Sequence, residues 1–172
     1  KYCIILQTMG LTTLGIIHTV ISLLAVASGS ISLVKDKKIN WSNNLGKIFV
    51  ITTIITCITS FGIYQHGGFG KAHALGIITL LVQALALFAG KVSKPFGKAS
   101  VYVETVAFSF TFFLHLVPGI TETLTRLPQQ TPIAASPEDP KVKTLIGISF
   151  ILFLIGITLQ ILKLKRKISD SN

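Results

Sequence analysis

Apolar residues do not alternate along this chain but run on without interruption. Five stretches, about Leu11 to Val34, Gly46 to Gln65, Ala72 to Ala89, Val101 to Pro118 and Val142 to Leu162, stand out. Each approaches the roughly 20 residues that a helix needs to cross a hydrocarbon core about 30 Å thick. A barrel strand would instead alternate over about ten residues, and only helices or closed barrels satisfy their backbone hydrogen bonds in lipid. The pattern predicts an all-α polytopic membrane protein in which residues 1–172 form one transmembrane domain. Turn and breaker residues separate the runs: Trp41-Ser42-Asn43-Asn44, Gly67-Gly68-Phe69-Gly70, Pro95 with Gly97, and a segment holding Pro128, Pro132, Pro137 and Pro140. That last segment is expected to be an external loop over about residues 121–141. Lys1 is not an initiator, so the N-terminus is expected to be incomplete or to lie ahead of a start at Met9. Ala25-Val26-Ala27 resembles a signal-peptidase site, but cleavage there would leave Lys35, Lys37 and Lys38 outside.

Composition agrees with a lipid-embedded chain. Residues are 50% hydrophobic and 13% charged, with a mean hydropathy of +0.70, against roughly 25% charged in soluble domains. The net charge of +10 does not imply nucleic acid, because the basic residues lie in short clusters beside apolar runs, where topology and anionic lipid account for them. Eleven of them (Lys35, Lys37, Lys38, Lys47, Lys91, Lys94, Lys98, Lys163, Lys165, Arg166 and Lys167) fall on one side of a five-span layout, and five (Lys1, Lys71, Arg126, Lys141 and Lys143) on the other. The positive-inside rule then puts the N-terminus outside and the C-terminus in the cytoplasm of a bacterial inner membrane. Trp41 reads as an interfacial anchor, and the Asn40-Trp41-Ser42 sequon would be cytoplasmic. Cys3 and Cys57 lack ligand spacing and read as small apolar residues.

The polar residues inside the runs are the candidate chemistry. His18, His66, His73 and His115 fall one to each of the first four runs, all on the outer side; His18 lies about 10 Å in, at about 1.5 Å per residue. At about 100° per residue, Glu104, Thr111, His115 and Glu122 share a face of the fourth run, interrupted by Phe108. His18, Ser22, Ala25 and Gly29 share one on the first, and Thr53, Thr56, Ser60 and Tyr64 one on the second. Such faces predict a four-helix bundle core with the fifth helix peripheral. An ionisable side chain at membrane depth is a functional hypothesis by default, and imidazoles on facing helices are the usual means of holding a metal or haem iron. His18 and His115 are therefore the expected ligands, with His73 in reserve. His66 and His73 also read as residues of a tight turn that the glycines between them permit. Glu122 and Arg126, spaced i, i+4, form either a solvated ion pair or a proton acceptor and the residue that holds it charged. No hydrolase, kinase or phosphate-binding signature is present.

The chain resembles a family of small bacterial multi-span proteins catalogued as predicted membrane proteins of unknown function. The likeness rests on His18 with its small-residue face ending at Gly29, "NNLGKIFV", "HGGFGKAHALG" and "GITETLTRLP" before a Pro-rich loop. Related families often carry a His-Arg pair where Asn43 and Asn44 stand here. The layout is also similar to the cytochrome b561-type four-helix architecture, whose histidines hold haem b. That likeness implies a haem b electron-transfer protein. Because only the outer half is supplied with histidines, it implies one haem rather than two. The other expectations are a non-catalytic structural or accessory subunit joined to a membrane protein partner, a transition-metal site, and a quinone pocket using His, Tyr64 and Glu122.

Overall fold

A computed structural model describes residues 12–63, 69–91 and 96–170. The described residues are helical, without strands: α1 (Thr13–Lys35), α2 (Asn44–Ser60), α3 (Lys71–Lys91), a 3-10 turn (Gly97–Ala99), α4 (Ser100–Arg126) and α5 (Pro140–Ser169). Four of the five, α1, α3, α4 with its leading 3-10 turn, and α5, are long and apolar enough to cross a membrane.

Local chemistry sets the ends. Thr12 caps α1, its Oγ1 accepting from the Gly15 amide at 3.1 Å. Asn43 caps α2 through the Gly46 amide at 2.7 Å. Asp139 caps α5 with Pro140 in the first turn, where its missing N–H costs nothing. Three helix ends differ from the sequence expectation by five residues or more, among them that of α5, which runs on to Ser169 rather than stopping near Leu162. The second helix stops at Ser60 and is shorter than a span of residues 46–65, whose last two residues lie outside the described set. The fourth does not stop at Pro118 but continues to Arg126. A proline removes one helix hydrogen bond, and the turns beyond it are reinforced by Thr121 and Thr125 hydroxyls donating 2.8 Å bonds to the carbonyls of Val117 and Thr121. The connection before α5 is accordingly reduced to residues 127–139.

α1 packs along α2, α3 along α4, and α2 against α3; α4 also meets α1 and carries α5. One end of the molecule, the loop end, gathers the start of α1, the end of α2, the start of α3 and residues 127–139. The opposite, lysine-rich end gathers the end of α1, the turn before α4 and the end of α5. Close packing at the middle follows from small residues: a Cβ on Gly29 would lie 2.6 Å from the Phe112 ring and 2.9 Å from Phe49. Ala25, Ile39, Phe49, Val50, Ala86, Ala107 and Phe108 form the apolar cluster there. Beside this cluster eleven polar side chains are buried among the described residues, including Ser32, Thr53, Gln83, Thr105, Thr111 and His115. The exterior is apolar, from Ile17 to Leu162, and α5 buries only Val142. So extensive an apolar exterior is consistent with a membrane protein.

The loop end is tied by charge. Glu138 accepts from Lys71 at 2.7 Å and pairs with Lys143 at 3.3 Å. The Lys71 hydrogen bond is the main reason its carboxyl is held below the ordinary range, as the Lys141 and Ala135 amides hold Asp139. A lowered carboxyl contributes stability that is complete above the ordinary carboxylate range and is lost as pH falls through the folded value. Thermal stability should therefore be flat near neutrality and decline on acidification below that range, with Glu138→Gln shrinking the decline. An unchanged pH profile in that variant would contradict the tie.

Candidate functional site

His18 projects from α1 and its Nδ1 lies 3.0 Å from Thr59 Oγ1 on α2. The Thr59 hydroxyl already directs its single proton to the carbonyls of Ile55 at 2.9 Å and Thr56 at 3.0 Å. The hydrogen-bond pattern thus assigns the proton to His18 Nδ1, as donor, and leaves a lone pair on Nε2.

His115 projects from α4 and is 5% exposed. Its Nε2 lies 2.9 Å from Thr53 Oγ1, a hydroxyl that is itself fully buried. Thr53 thereby departs from its neighbours: Thr52 and Thr59 donate to carbonyls one turn back on their own helix, whereas Thr53 spends its hydroxyl on another helix. Phe49 meets the imidazole edge-on, with centroids 6.0 Å apart. His18 and His115 sit near enough for their charges to interact, and Glu122 is within the same range of His18. Glu122 in turn forms an i, i+4 ion pair with Arg126. Two histidines from α1 and α4 are therefore anchored on α2, at threonines six residues and about 120° apart around it at 100° per residue.

His73 is engaged at the start of α3. Its Nδ1 accepts from the Gly70 amide at 3.1 Å, and its ring stacks on Phe61 and Phe69 at 6.3 and 5.4 Å. This is the chemistry of a helix beginning, where free amides seek an acceptor. Tyr64 and His66 lie outside the described residues. Glu104 packs half-buried against Gly90 at the other end of α4, within charge range of Lys38.

Several polar residues of this interior are not on the aligned faces read from sequence. Thr59 lies one helical step from Thr56. Gln83, 1% exposed, donates from Nε2 to the Val50 carbonyl at 2.8 Å, while its Oε1 has no hydrogen-bond partner among the described residues. Ser109 donates to Gln160 Oε1 at 2.8 Å. An amide inside an apolar run is the signal that would have found both glutamines, because such a group must be bonded to be tolerated there.

Among the described residues no group of three or more His, Cys, Asp or Glu is placed to hold a metal ion. A cavity of about 270 Å³ lies between α4 and α5, and another of about 420 Å³ between α3 and α4; neither is lined by a histidine. No family model, no curated protein and no solved structure matches the chain.

Proposed function

We propose that the chain is a multi-pass protein of the bacterial inner membrane, N-terminus outside and C-terminus cytoplasmic. In this reading α1 to α4 form a four-helix core with α5 outside it, and a pair of neutral imidazoles in the outer half handles protons. The observation that carries the reading is that His18 of α1 and His115 of α4 are each bonded to a threonine of α2, the helix between them. Burying ionisable groups at membrane depth costs a few kcal/mol on insertion scales, and bringing two together adds mutual repulsion once either is charged. Each neutral ring carries one N–H and one lone pair, so a proton taken up by one is resisted at the other. Glu122, held by Arg126 near the outer surface, gives the pair a route to water.

The fit to haem b is partial. His18 suits an axial ligand, since a bonded Nδ1 orients an imidazole that ligates through Nε2. His115 does not fit as it stands, because its Nε2 is engaged by Thr53. A quinone headgroup asks only for hydrogen bonds from neutral imidazoles and requires no such exchange. The accessory-subunit reading is favoured by a different observation: each histidine bond is also a tie between helices.

Nitrogen-15 NMR of histidine-labelled protein in detergent micelles separates these. A proton-handling pair titrates in coupled steps, so His115→Gln should shift the His18 titration. A His18 titration indifferent to that change would leave only the structural role. A Soret band in oxidised or dithionite-reduced protein would replace the reading with haem, and co-purified quinone would identify the group served.

A further inference from the structure

The cavity of about 270 Å³ runs along α4 and α5 from Leu116 and Ser149 to Gln160, with Leu33 of α1 as its third wall. Its sides are mostly leucines and phenylalanines; Ser109 bonds Gln160 at one end, and Ser149 lies at the other. Gln160 also donates from Nε2 to the Lys37 carbonyl at 2.9 Å. That bond sets the Gln160 end of the cavity against the lysine-rich end of the molecule. Gly156, Gln160, Lys163 and Lys167 share one face of α5 to within about 60° at 100° per residue, so the stripe that lines the cavity continues into exposed lysines. Lys35 and Lys37 are exposed at the end of α1.

An apolar slot that opens at one end onto clustered ammonium groups matches a molecule with a hydrocarbon tail and a negative head. We infer that this groove binds one anionic phospholipid, its acyl chain along Phe113, Leu152 and Phe153 and its phosphate among Lys37, Lys163 and Lys167. The inference rests on the membrane insertion proposed above. It does not involve the histidine pair.

The test is native mass spectrometry of the full chain in detergent, titrated with phosphatidylglycerol or with phosphatidylcholine of the same tails. Wild type should retain one phosphatidylglycerol at least tenfold more tightly. At about fivefold per charge near a surface, Lys163→Gln with Lys167→Gln should weaken that lipid roughly thirtyfold and erase the preference. Gly156→Leu, at a position where a Cβ meets nothing within 4 Å, should fill the slot and weaken both lipids alike. Equal affinity for the two lipids in wild type, no effect of either variant, or a tightly held quinone that neither lipid displaces would each overturn the assignment. Alkaline carbonate extraction keeps the premises apart: a chain released by carbonate defeats the membrane reading, whereas one that resists release yet shows no lipid preference defeats only this site.

Discussion

Gly46→Ala is expected to lower the thermal stability of the detergent-solubilised protein by on the order of 5 to 15 °C, while Gly147→Ala leaves it unchanged or slightly raised. The two substitutions add the same methyl to a helical glycine. At Gly147 nothing lies within 4 Å, and alanine is the better helix former by about 1 kcal/mol. At Gly46 the Cβ would fall 1.8 Å from the Asn40 carbonyl oxygen and 2.5 Å from its carbon. Those are backbone atoms, so the collision cannot be relieved by a rotamer. The connection from α1 to α2 would have to move, and it is built from interlocking bonds: Asn40 Oδ1 accepts from the Ser42 amide at 2.9 Å, Asn43 Oδ1 from the Gly46 amide at 2.7 Å, and Asn43 Nδ2 donates to Asp36 at 2.8 Å. Ile39, 1% exposed in the core cluster, would be drawn out with it. Overpacking costs about 1–3 kcal/mol and a lost cap about 1 more; for a chain of this size each kcal/mol shifts the midpoint by roughly 2–4 °C. Equal midpoints for the two variants would show that the approach of Asn40 to Gly46 is not a constraint on the fold.

The same stretch shows where sequence reading runs out. The apolar runs were sufficient to place the body of every helix, because a long unbroken apolar run fits a helix and not an alternating strand. They say nothing about a connection such as residues 36–43, whose form depends on Lys37 at φ +61° and on Asn43 reaching both Gly46 and Asp36. Pro118 misled for a related reason: a proline in an apolar run does not end a helix whose following turns are bonded and packed. Angular alignment correctly put Thr53, Thr56, Thr111 and His115 inside. It could not say which groups would meet, since His115 bonds Thr53, 62 residues away, and His18 bonds Thr59, 41 away. His73 reads in sequence as nearer the surface, a reserve ligand or a turn residue, and only the geometry separates its part as a helix-start acceptor stacked on Phe61 and Phe69 from the interhelical bonds of the other two.

That separation can be measured as an energy. Thr53→Val keeps the shape of the side chain but deprives His115 Nε2 of its partner in a site where the ring is 5% exposed. His115→Leu leaves the Thr53 hydroxyl behind, yet that hydroxyl has somewhere to go: the carbonyl one turn back on α2, which Thr52 and Thr59 already use in the same way. The two losses are therefore unlike. The valine variant carries the cost of an orphaned buried polar group, about 1–3 kcal/mol, and the leucine variant mainly a change in packing against Phe49. Once His115 is gone, Thr53→Val has nothing further to orphan, so the double variant should fall short of the sum of the singles by roughly 0.6 and at most about 1.7 kcal/mol, the range of interhelical hydrogen bonds in membranes. The cycle is read from unfolding in mixed micelles or bicelles. Thr59→Val serves as the contrast, because its hydroxyl is already committed to Ile55 and Thr56 and His18 is only partly buried; its coupling to His18→Leu should be smaller. Additivity at Thr53 and His115 to within about 0.5 kcal/mol would mean that the ring and the hydroxyl are neighbours without a bond. His115 would then lose its anchor on α2, and the proposed proton-handling pair would keep only the bond of His18 to Thr59.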